Sequence, residues 1–277
     1  MQRLQENSII NTYFKELSIQ IDLSGLSFCI FNPALNCIES IYHFKIDSNH
    51  TNTLEMEKQL RALLFSESDL RQDFNTIKVL HNNQLFSLIP KALFTGKEFA
   101  SSYLKYSVET NPTDFVEIDD IEPLEAVNLY VPNTLVNNIL LEHYGYFDYQ
   151  HFTTSLLKMF LTHYASHEQE ATYMYVEQSS FYLVYFKNKK LQFLNRFPYE
   201  TIEDLLYFLL YSVEQLEVKT EKVPIYISGE ITRNSLIYHG LRKYIRNVYF
   251  MKTNAKPLSQ GMDQTLARQH FLLTQQF

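Results

Sequence analysis

The sequence predicts an α/β protein made of two lobes of one design, each opened by a three-stranded antiparallel meander. Three observations predict it. A strand–turn–strand–turn–strand–helix order occurs in the first half of the 277 residues and returns, in the same order, in the second. Each copy is followed by further strands alternating with helices, the pattern of crossover units in a partly parallel sheet. The chain is also long for one domain against a soft prior of about 150 residues per domain. The expected division is 1–145 for the first lobe and 146–277 for the second.

Residues 17–23 (LSIQIDL) are apolar or alternating, and Ser24-Gly25 supplies a turn. The runs 26–32 and 38–46 continue as strands on either side of a turn at Pro33, and a helix follows at 53–65, with Leu54, Leu60, Leu63 and Leu64 near helical spacing. Strand candidates lie at 76–80, 84–89 and 126–131, with a helix at 97–107. Pro132 opens another helix that stops before Gly145, which suits a glycine just past a helix end, and 153–166 reads as a further helix. In the second half 171–177 (ATYMYVE) turns at Gln178-Ser179 into 180–187, and Asn188-Lys189 turns that strand into 190–197. The helix 202–217 has Thr201 as its cap and Glu203 and Asp204 in its first turn, where acids suit the helix dipole. Apolar residues cover most of its circumference, so it is expected to be buried. Strand 223–228, helix 233–245 and strand 247–252 complete the second copy. In the tail, 256–277, PLSQGMDQTL reads as loop then helix, while RQHFLLTQQF suits either element.

Composition narrows function by exclusion. With 45% hydrophobic and 15% aromatic residues the chain is neither disordered nor low in complexity. It carries 24 basic and 31 acidic residues, a formal charge of −7, and a pI of about 5.7, with no dense basic patch beyond Arg242, Lys243 and Arg246 at a helix end. No nucleic acid is expected as a partner. No apolar run approaches the roughly 20 residues of a membrane span, and the first residues lack a secretory core, so a cytoplasmic location is expected. Cys29 and Cys37 flank a short turn and read as reduced thiols. There are 6 glycines, against roughly 19 at average usage, so backbone-wrapped phosphate sites have little raw material.

The segments IQIDLSGLSFCIFN (19–32), TIEDLLYFLLYSVEQLE (201–217) and IYISGEITRNSLIYHGLRKYIRNV (225–248) resemble an uncharacterised bacterial family of the actin-like ATPase superfamily, the duplicated ribonuclease H-like fold. The resemblance spans roughly residues 17–253 and implies two such lobes. It also implies ATP and Mg²⁺ held between the lobes, the backbone of two hairpin turns against the phosphates, an acid at each strand end holding metal-bound water, and a Gly-Gly turn at the adenosine. Mapped here, the first phosphate motif is Asp22-Leu23-Ser24-Gly25-Leu26-Ser27, with Ser24 where glycine is expected. The second is Glu177-Gln178-Ser179-Ser180, without glycine, and the adenosine-type motif is Ser228-Gly229-Glu230, with Glu230 replacing the second glycine. On this mapping Asp22 and Glu177 are the candidate catalytic acids, Asp22 the water-mediated metal ligand. Ser24, Gly25, Ser27, Gln178, Ser179, Ser228, Gly229 and Glu230 are the candidate nucleotide contacts. A carboxylate at Glu230 would repel phosphates at a few ångströms.

Two readings stay open. The first is a non-catalytic actin-like protein with a degenerate nucleotide cleft, acting as a cytosolic scaffold or regulatory module for a protein partner. The other is an ATP- and Mg²⁺-dependent phosphotransferase or ATPase with variant phosphate motifs; a filament former ranks below both. No GxxxxGK[ST], GxGxxG or nucleophile-elbow motif occurs. His163 and His167 stand one helical turn apart but lack a third metal ligand and read as a solvated helix end. The acidic stretch Asp114–Glu125 reads as a solvated loop, with a contact patch for a basic partner as the alternative.

Overall fold

In a computed structural model, residues 15–22, 25–45, 53–111, 113–165, 169–252, 256–262 and 264–277 are described, residues 53–55 and 264 by their backbone only. The first meander is β1 (Lys15–Asp22), β2 (Gly25–Asn32) and β3 (Cys37–Lys45), followed by α1 (Thr53–Ser66) and β4 (Phe74–His81). Then come β5 (Phe86–Pro90), α2 (Ala100–Lys105), β6 (Glu117–Ile121), β7 (Ala126–Tyr130), α3 (Thr134–Tyr144), β8 (Asp148–His151) and α4 (Phe152–Tyr164). The second half runs β9 (Glu170–Val176), β10 (Ser180–Lys187), β11 (Lys190–Pro198), α5 (Ile202–Gln215), β12 (Ile225–Gly229), α6 (Leu236–Tyr244) and β13 (Val248–Phe250). The tail adds α7 (Gln264–Gln269) and a short 3-10 turn at Leu273–Gln275.

The doubling is visible in the sheets. The first has strand order β3-β2-β1-β4-β8 and the second β11-β10-β9-β12-β13, each with an antiparallel meander and parallel fourth and fifth strands. A third sheet, β5-β7-β6, is inserted between β4 and β8 of the first lobe. β8 lies beyond residue 145, so the expected division at 145/146 falls before the last strand of the first sheet. The tail also crosses back: Leu258 bridges Ile38 on β3, and the Ser18 hydroxyl on β1 donates to the Leu273 carbonyl at 2.9 Å.

Local chemistry explains the element ends. Asn133 caps α3 by accepting the Val136 N–H, and Gly145 closes it at φ 78°. Thr201 and Asp204 cap α5 reciprocally, as a capping box. α6 starts three residues later than the sequence suggests, because the Ser235 hydroxyl caps it by accepting the Tyr238 N–H. Two strands were not expected, β6 and β8. β6 runs through the acidic stretch, correcting the reading of Asp114–Glu125 as a solvated loop: Asp119 accepts the His151 N–H at 2.8 Å and the Thr154 hydroxyl at 2.7 Å, and Glu117 accepts the Tyr149 hydroxyl at 2.9 Å. Burial raises the Asp119 carboxyl above its usual range, these donors lowering it in part. His163 is likewise held within the fold, its ring nitrogen 3.0 Å from the Tyr173 hydroxyl; His167 lies outside the described residues.

Each lobe has its own core, Leu17, Ile19, Ile21 and Phe28 with α1 and α3 in the first, Met174, Val176, Leu183 and Ile225 with α5 and α6 in the second. Between them lies an aromatic layer in which α4 inserts Phe152 against Tyr182, with centroids 5.5 Å apart, and Phe160 against Tyr173, at 4.7 Å. Ring burial there accounts for Tyr173, Tyr175 and Tyr182, all fully buried. Among the described residues no helix is long and apolar enough to cross a membrane, and Cys29 and Cys37 are free thiols.

Candidate functional site between the two hairpin turns

Alternation along β1 sends Leu17, Ile19 and Ile21 into the first core and leaves Ser18, Gln20 and Asp22 on the opposite face. On β9, Met174 and Val176 enter the second core while Tyr173, Tyr175 and Glu177 lie on the face toward the first lobe. The two strands therefore end equivalently. Asp22 pairs with Gly25 across the first hairpin, and the Glu177 N–H donates to the Ser180 carbonyl at 2.8 Å across the second. A cleft of about 490 Å³ lies between, and Asp22, Glu177, Gln178, Ser179 and Glu230 all line it.

The second acid is fully engaged by the protein. Glu177 receives the Arg196 guanidinium at 2.8 and 3.2 Å, the Ser180 hydroxyl at 2.6 Å and the Asn82 amide at 2.7 Å. Asn82 belongs to the first lobe and accepts the Tyr182 hydroxyl at 3.0 Å, while Arg196 lies 5.5 Å from the centroid of the Tyr182 ring. Both members of the ion pair are largely buried, at 17% and 15% side-chain exposure, so it is shielded from bulk water. Glu230 is half-buried and its carboxyl is raised, first by burial and then by the charges of Glu177 and Asp22.

The other expected site residues fall elsewhere. Ser24 lies outside the described residues. Gly25 is the buried first residue of β2, and the buried Ser27 hydroxyl stands 2.9 Å from Nδ1 of His43, which lines the cleft, without Ser27 itself lining it. Ser228 and Gly229 line a neighbouring cavity. Gly229 has a structural reason to be glycine: it sits at φ +87°, and a Cβ there would meet the Val176 carbonyl oxygen at 2.2 Å. That carbonyl accepts the Glu230 N–H at 2.8 Å, so the motif's backbone is spent on the sheet.

The sequence reading missed Arg196, Asn82 and the tail residues Leu266, Gln269 and His270, all of which line the cleft. His270 stacks on His43, with centroids 5.4 Å apart, and burial lowers its pKa to about 4. The signal for Arg196 was the hairpin register, which sets it opposite Tyr182, beside the turn acid.

Three carboxylates, Asp22, Glu177 and Glu230, line the cleft together with two cations, Lys45 and Arg196. Carboxylates thus outnumber cations in the cleft lining, and the phosphates of a magnesium-bound triphosphate would meet that excess of negative charge. Among the described residues no three His, Cys, Asp or Glu side chains converge as a metal-ligand set. The donor set fits such a ligand poorly.

Residues 4–248 match DUF3822, described as a protein of unknown function, and the chain belongs to that family. Among solved structures, it is similar to a protein of Bacteroides thetaiotaomicron with an actin-like ATPase fold and unknown function: TM-score 0.74 and 21% identity over 86% of this chain and 91% of that one. It is also similar to a chain of the PilM–PilN type IV pilus biogenesis complex, with TM-score 0.60 and 11% identity over 95% of this chain and 97% of the other. No curated protein matches. The fold is therefore the two-lobed actin-like ATPase fold that the resemblance implied.

Proposed function

We propose that this chain is a non-catalytic actin-like module, a cytoplasmic scaffold or regulatory binding protein whose interlobe cleft no longer handles Mg²⁺ and ATP. One observation carries the reading: the Glu177 carboxylate, where a second metal-side acid belongs, is closed off by Arg196, Asn82 and Ser180. An acid bound by three donors has little remaining capacity to hold a metal's water. The tail supports the same reading, since Leu266, Gln269 and His270 occupy one wall of the cleft. That a similar fold occurs in a PilM–PilN complex is in keeping with a protein-binding role.

A specific observation favours a second reading: Asp22 and Glu177 end equivalent strands and line one cleft. On that reading Asp22 holds metal-bound water, Glu177 positions a nucleophile, and the chain is a phosphotransferase or ATPase with variant motifs.

Thermal unfolding of the full chain with and without Mg·ATP separates the two. Ligand at 100 times its Kd stabilises a protein by about 2.7 kcal/mol. The module reading expects no shift with any nucleotide and no phosphate release. A shift that disappears in Asp22→Ala, accompanied by turnover, would establish the enzyme reading instead.

A further inference from the structure

A second cavity, of about 570 Å³, opens at the carboxyl ends of β12 and β13, where open α/β sheets tend to hold ligands. Its chemistry is the reverse of the cleft's. Among the described residues, Arg233, in the loop before α6, and Arg268, on α7, are its charged lining residues, and no carboxylate lines it. Among the described residues neither guanidinium is ion-paired; Arg233 stands 5.7 Å from the centroid of the Phe250 ring. Phe250, Met251 and Phe271 supply apolar wall. Ser228 lines the cavity, is only 6% exposed, and its hydroxyl has no hydrogen-bond partner among the described residues. A buried hydroxyl left unpaired is costly, and a ligand oxygen would satisfy it.

We propose that this cavity binds a small organic anion, a carboxylate or phosphate monoester on a flat or aliphatic body. The arginines take the charged head, the Ser228 hydroxyl takes one of its oxygens, and the body lies against Phe250, Met251 and Phe271. The volume is in the small-ligand range of about 300–1,000 Å³. The tail contributes one of the two cations, so the site exists only with α7 docked. This inference stands apart from the reading of the interlobe cleft, which uses different residues and the opposite charge.

Calorimetric titration of the full chain with phenyl phosphate and with benzoate tests it, using inorganic phosphate and benzyl alcohol as the separate halves of the ligand. Phenyl phosphate or benzoate binds, and each half alone binds at least about tenfold more weakly, as expected when one of two contact sets is missing. Arg233→Gln and Arg268→Gln each weaken binding about tenfold, the loss of one charge-assisted contact. Both side chains are exposed and both variants should fold. Ser228→Ala weakens binding several-fold, Lys243→Gln on the outside of α6 leaves it unchanged, and raised salt weakens it in the wild type. Absence of binding by both probes up to about 10 mM, wild-type affinity in both arginine variants, or equal binding of benzyl alcohol would overturn the assignment. Displacement of phenyl phosphate by neutral adenosine as readily as by benzoate would overturn it as well.

Discussion

Gly229 and Val176 approach so closely that no side chain fits between them: a Cβ on Gly229 would lie 2.2 Å from the Val176 carbonyl oxygen. The contact is the last rung of the β9–β12 pairing, and it holds the strand end of one motif against the hairpin of another. Gly229→Ala therefore adds a clash with backbone to an unfavourable positive φ. It should lower unfolding free energy by about 3 kcal/mol or more, read from urea denaturation. A loss under about 1 kcal/mol would mean that β12 ends differently.

The Arg196–Glu177 pair predicts coupling of known sign. Arg196→Met leaves a mostly buried carboxylate with only neutral donors and should cost about 2–4 kcal/mol. Adding Glu177→Gln removes the stranded charge and should recover much of that loss. A double-mutant cycle by chemical denaturation measures it; additive losses would show that the two side chains do not interact in solution.

His81 predicts a pH dependence. Its Nδ1 accepts the Asn133 N–H at 3.2 Å, so Nε2 carries the proton and faces Asn137 Oδ1 at 3.0 Å. Burial lowers its pKa to about 4, against about 6.5 in the unfolded chain. Between those values the unfolded state binds the extra proton, so this contribution is complete above pH 6.5 and is lost as pH falls toward 4. The slope is at most about 1.4 kcal/mol per pH unit. His81→Gln should flatten the urea-stability profile in that window relative to wild type, while the opposing contribution of Asp119 is common to both proteins. Parallel profiles would mean that His81 titrates normally.

Leu273 predicts that the tail is part of the fold. It is fully buried with Cys29, Phe31 and Ile38, and its neighbour Leu272 is fully buried in the aromatic layer between the lobes. Leu273→Ala should destabilise by about 2–5 kcal/mol. It should also raise hydrogen exchange in α7, which mass spectrometry would detect. Wild-type stability would mean that the tail docks only transiently.

Strands β1 to β3 and β9 to β11 were legible because period-two alternation and turn residues act over a few neighbours, and the same order written twice could be compared with itself. Their equivalent ends followed, and the family resemblance implied one cleft between them, which Asp22, Glu177, Gln178 and Ser179 line. β6 was not legible, since Glu117, Asp119 and Asp120 read as solvated until Thr154, His151 and Tyr149 arrive from elsewhere in the chain to take up two of the charges. β8 is four residues long and polar, and only its pairing with β4 makes it a strand.

The sequence by itself determined the doubled α/β design, the two acid-bearing hairpins and the glycine at the end of β12. Tertiary structure alone decided that Glu177 would be paired with Arg196 and hydrogen-bonded by Asn82, that Ser228 would line a different cavity from Asp22, and that the tail would close one wall of the cleft. The physical reason is range. Alternation, caps and turns are settled by residues within a few positions, whereas the contact of Ser18 with Leu273 joins residues 255 positions apart and exists only once both lobes have formed.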